Sequence, residues 1–132
     1  MTTIHLDPDG PHSDTYTRQV AGAFAETVRV LNYATRTQDG VPHPATVNSV
    51  LGDLRTGMQR MDQLLRQINQ RLRDFGQGDL ADSRERDVED VVGWARVSIL
   101  EALDRASSCA AHLERAFNDT SGLYLRDDQD GA

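Results

Sequence analysis

VNSVLGDLRTGMQRMDQLLRQINQRLRDF, residues Val47 to Phe75, keeps an unbroken 4-3 spacing of apolar side chains at Val47, Leu51, Leu54, Met58, Met61, Leu65, Ile68, Leu72 and Phe75. A second stretch, VEDVVGWARVSILEALDRASSCAAHLERA, repeats the rhythm at Val88, Val92, Ala95, Ile99, Ala102, Ala106, Cys109, Leu113 and Ala116. A heptad pattern of this length holds one seam of a helix against a partner helix. Short links join antiparallel neighbours, so the sequence predicts a long antiparallel helical hairpin. The first seam offers Leu, Met and Ile and the second mainly Ala, and large side chains facing small ones permit a close approach.

Outward from the hairpin, Ser13 caps a first helix, with Asp14 in the first turn where a negative charge suits the dipole. Val20, Phe24, Val28 and Leu31 form its apolar stripe, and Gly40, Pro42 and Pro44 end it. The predicted helices run over about 13–37, 44–75 and 83–118. Gly76 is expected to stop the second as a left-handed terminator, and Asp82 with Glu85 to open the third as a capping box. The fold class is all-α: a three-helix bundle built on the hairpin, with helix one over the remaining groove. Residues 13–125 read as a single helical domain, between a flexible tail over 1–12 and an acidic tail over 126–132.

Composition narrows the function. The chain has 132 residues, a net charge of −7 and 5% aromatic residues, and its 14 basic residues are all arginine. Phosphate binding rests on neutralising charge, so this acidity argues against free binding to nucleic acid. The lone cysteine excludes an intrachain disulfide, and Cys109, on the second seam, reads as a small buried thiol. No apolar run is long enough to span a membrane, and no basic region precedes an apolar one at the start. A cytoplasmic location is the expectation.

Nothing in the residues gathers a catalytic or metal centre. His5, His12, His43 and His112 fit no ligand spacing, and His5, Asp7, Asp9 and His12 read as solvated tail residues. Asp7-Pro8-Asp9-Gly10 and Asp128-Gln129-Asp130-Gly131 echo part of a calcium loop, but neither has its closing glutamate. A phosphate-cradling loop needs a lysine, and no Gly-x-Ser-x-Gly elbow occurs. The expectation is a non-enzyme with no metal, cofactor or small-molecule ligand.

Two surfaces invite partners. From Val91 to Leu103 helix three is apolar nearly all round, with Trp94, Val97 and Leu100 opposite the seam. Helix one has a matching second face at Val30 and Tyr33. An apolar excess of this kind is covered by another part of the chain, such as helix one or Leu123–Leu125, or by another chain. The leading reading is a non-enzymatic protein–protein interaction or assembly module that self-associates, as a dimer, or binds a helical partner through helix three, with Trp94 as the anchor. The alternative is a DNA-associated accessory protein using the Arg/Gln face of helix two, with Arg60, Arg66 and Arg73 as its basic residues. Against it, helix two is far longer than a recognition helix and lacks the short helix and tight turn in front.

The segment Val28-Arg29-Val30-Leu31-Asn32-Tyr33-Ala34-Thr35, with Gln63-Leu64-Leu65-Arg66-Gln67 and the Ala-rich third helix, resembles small uncharacterised helical proteins of Streptomyces and related actinomycetes. The resemblance spans about residues 16–122. It implies a bacterial cytoplasmic helical protein, sometimes met near mobile or conjugative elements. That group has no established activity, so the resemblance carries no functional residue over, and its genomic company is what keeps the DNA-associated alternative.

Overall fold

A computed structural model describes residues 3–127, apart from the side chain of Gln77. The chain is all-α, with three helices and no strand among the described residues: α1, Asp14–Ala34; α2, Pro44–Asp74; and α3, Val88–Thr120. It divides into two units, Met1–Pro42 and His43–Ala132, each compact by itself.

In the first unit Ser13 caps α1 as expected, its Oγ accepting from the Tyr16 N–H at 3.0 Å. α1 ends at Ala34, earlier than the expected 37. Gly40 then turns so tightly over Ala34 that a Cβ there would lie 1.8 Å from the Ala34 carbonyl oxygen. The preceding segment makes local bonds to the start of α1. Tyr16 donates to the His5 carbonyl at 2.7 Å and accepts from the Asp7 N–H at 2.9 Å, and the His12 ring stacks on Tyr16. No residue of α1 is buried. Of the expected acidic tail over 126–132, residues beyond Asp127 lie outside the described residues.

The second unit is the hairpin. As residue numbers rise along α2 they fall along α3: Asn48 meets Phe117 and Thr120, Arg55 meets Glu114, and Asn69 meets Arg96. The two helices are therefore antiparallel. Pro44 opens α2 at its first turn, where a missing N–H costs nothing. At the other end no glycine adopts a left-handed conformation, so Gly76 is not the expected terminator. The chain leaves α2 through an extended Phe75 and makes one 3-10 turn, Gln77–Asp79, closed by the Asp79 N–H on the Gly76 carbonyl at 2.9 Å.

α3 begins at Val88, five residues after the expected start near Ser83. Asp82 does not cap it. Its carboxylate instead takes the Arg86 N–H at 3.0 Å and the Arg86 guanidinium at 2.9 and 3.0 Å. Glu85, with φ of 59°, breaks the helical path between them. Asp87 is the cap, accepting from the Asp90 N–H at 3.1 Å, with Glu89 and Asp90 adding negative charge to the first turn.

Candidate interaction surface

The line along which α2 and α3 touch keeps one row of each predicted seam and is turned about each helix away from the other row. On α2 it runs through Asn48, Arg55 and Asn69, positions seven residues apart or a multiple of it, with Leu51, Met58, Leu65 and Leu72 between them. On α3 it runs through Arg96, Leu103, Ala110 and Phe117, alternating with Val92, Ile99, Ala106 and Leu113. Leu103 and Ala110 are the buried apolar residues of the hairpin, whereas Ala102 and Cys109, one residue earlier, are exposed. The expected burial of the Cys109 thiol is thus corrected.

Polar pairing explains the offset. A half-buried polar group is costly unless it finds a partner, and this line supplies partners. The Asn48 amide donates to the Phe117 carbonyl at 2.7 Å and to the Thr120 hydroxyl at 2.9 Å. Arg55 reaches Glu114 at 2.9 Å, and Arg96 donates to the Asn69 side-chain oxygen at 3.3 Å. Gly52 fits under Phe117, where a Cβ would come within 2.9 Å of the ring. Gly22, Gly57 and Gly93 have open space around them, so close approach accounts for one of the four helical glycines.

The offset has a geometric consequence. On each helix the remaining apolar row stands one residue before the line of contact: Val47, Leu54, Met61, Ile68 and Phe75 on α2, and Ala95, Ala102, Cys109 and Ala116 on α3. Both helices are right-handed and they run antiparallel, so one residue back turns both rows to the same side of the hairpin. One row of each predicted seam thus lies in the α2–α3 contact, and the other row of each joins its neighbour in one continuous apolar face. It stays open: Ile68 is 45% exposed and Phe75 52%, and Val47, Leu54, Ala102 and Cys109 are also exposed. The rows bordering it, Val50-Gly57-Leu64-Arg71 and Val91-Ser98-Arg105-His112, carry no carboxylate. The acidic residues of the hairpin between Pro44 and Ala116 lie elsewhere on it.

The residues singled out from the sequence fall on other surfaces. Trp94, 60% exposed, stands with Val97 and Leu100 on the side of α3 turned from the α2 contact. Leu123, Tyr124 and Leu125 do not cover it; they line a shallow cleft with His43, Pro44 and Ala45 at the far end of the hairpin. Val30 and Tyr33 are exposed on α1, with the Arg36 guanidinium over the Tyr33 ring. Arg66 is bonded to Asp62 at 3.0 Å, and Arg60 and Arg73 are exposed on α2. His5, Asp7, Asp9 and His12 do line one concavity with Tyr16. Among the described residues no three His, Cys, Asp or Glu side chains gather as metal ligands would, and no helix is long and apolar enough to cross a membrane.

Compared with protein-family models, curated proteins and solved structures, the chain matches none.

Proposed function

We propose that this chain is a non-enzymatic assembly module that self-associates through an apolar helical surface. The observation that carries the reading is the open face of the hairpin. Two long apolar rows lie side by side on it, and a face of this extent on a polar chain is a place for another protein surface. The Trp94–Val97–Leu100 patch is a second apolar area, but it spans only two turns of one helix. The longer face, contributed by both helices, is the stronger ground.

Sedimentation equilibrium of the full chain tests the reading. The expected mass is twice the 14.6 kDa of one chain, with a midpoint of urea unfolding that rises with protein concentration. A mass of 14.6 kDa at every concentration overturns it.

A further inference from the structure

We infer that two copies join face to face as a four-helix bundle, each α2 lying on the partner's α3; the inference rests on the self-association proposed above. Three observations select a second copy and this arrangement.

The first is area. α2 has 31 residues and is about 46 Å long at 1.5 Å per residue. Two helices about 8–10 Å apart present a face about 18 Å wide, so the footprint is on the order of 800 Å² per copy, the size of a standard stable interface.

The second is charge. Two chains of net charge −7 repel unless their carboxylates stay away from the interface. The open face and its borders hold none. A strongly basic partner would find no acid there to pair with, whereas a second copy meets no like carboxylate.

The third is side-chain size, which decides the arrangement. Leu54, Met61 and Ile68 stand proud on α2, while Ala95, Ala102 and Cys109 leave the α3 side low. Setting α2 against the partner's α3 places large side chains over small ones along the whole bundle, which fills the layers evenly. Setting like helices against each other would crowd one half and leave voids in the other. A two-fold axis along the bundle produces the favoured pairing and keeps every adjacent pair antiparallel. It brings Met61 near the partner's Cys109 and holds the two Cys109 thiols apart.

Disulfide trapping of the full chain under mild oxidant, read on non-reducing gels, tests this pairing. Met61→Cys should form a covalent dimer, and adding Cys109→Ser should abolish it. The wild type should stay uncrosslinked. A covalent wild-type dimer through Cys109, or one that persists in the Met61→Cys/Cys109→Ser variant, overturns the arrangement. Ala102→Glu, at an exposed position, should halve the sedimenting mass and leave the helical circular dichroism intact. A dimer that survives it moves the interface off this face and overturns the inference, while the self-association reading stands. A monomeric wild type removes both.

Discussion

Arg55 lays its guanidinium 4.5 Å from the centre of the Phe117 ring while reaching Glu114 at 2.9 Å. The same ring lies against Gly52, where a Cβ would come within 2.9 Å of it. One aromatic side chain of α3 thus meets a cation and a bare backbone patch on α2, three residues apart and so on one helical face. A planar guanidinium can stack and pair at once, which an ammonium cannot.

Arg55→Ala should therefore cost more stability than Glu114→Ala. Both side chains keep some solvent exposure, so the ion pair itself is worth up to about 1 kcal/mol. The arginine adds ring stacking and the packing of its stem, roughly another 1 kcal/mol. Urea melts of the two variants measure the difference, and equal losses would remove the role given to the Phe117 ring.

Gly52→Ala and Gly93→Ala should move stability in opposite directions. Alanine gains up to about 1 kcal/mol over glycine in a helix interior. At Gly93 nothing lies near the new methyl group, so the gain should appear. At Gly52 the methyl presses on the Phe117 ring, and overpacking of this kind costs roughly 1–3 kcal/mol. Thermal melts of both proteins read the signs directly.

Leu103 is 8% exposed on the line of contact and Leu100 is 46% exposed beyond it. Leu103→Ala should lose about 2–5 kcal/mol through lost burial and the cavity left behind. Leu100→Ala should stay within about 0.5 kcal/mol. Similar losses in urea would mean that α3 is turned differently about its axis.

The Asp82 carboxyl is held down to about 2, against an ordinary 3.8, by the Arg86 side chain first and the Arg86 N–H second. A depressed carboxylate stabilises the folded state fully above its unfolded pKa and loses that contribution as the pH falls through the folded one. For Asp82 the window lies between 3.8 and about 2. The carboxyl carbon shift of Asp82 in an NMR titration should have its midpoint near 2. Arg86→Ala should return it toward 3.8 and leave α3, capped by Asp87, in place.

Trp94 fluorescence should be red-shifted and open to quenching by acrylamide, because the ring is largely exposed. If the bundle forms through the other face, Trp94→Ala should leave the sedimenting mass unchanged. Blue-shifted, protected emission would instead place the indole in an interface.

Local patterns sufficed for the helices. The cap at Ser13, Pro44 in the first turn of α2 and the apolar rhythms all read true, because each is a relation between residues within one or two turns. Where two local signals compete, spacing alone does not choose between them. Asp82-x-x-Glu85 has the spacing of a cap, as does Asp87 before Asp90. Arg86 claims the Asp82 carboxylate and so leaves the cap to Asp87.

The sequence by itself determined which residues make the apolar rows of α2 and α3, since side-chain chemistry and a period near 3.5 place them without reference to anything else. Only the tertiary structure decided that one row on each helix, with Leu65 and Ile99, stays in the hairpin contact while the other, with Ile68 and Ala102, turns to its open side. The choice depends on how far each helix turns about its own axis. That turn is set by pairs such as Asn48 with Thr120 and Asn69 with Arg96, and by the fit of Phe117 on Gly52. These partners are far apart along the chain. An apolar row records that its side chains avoid water, and it is equally satisfied by a helix of its own chain or of another.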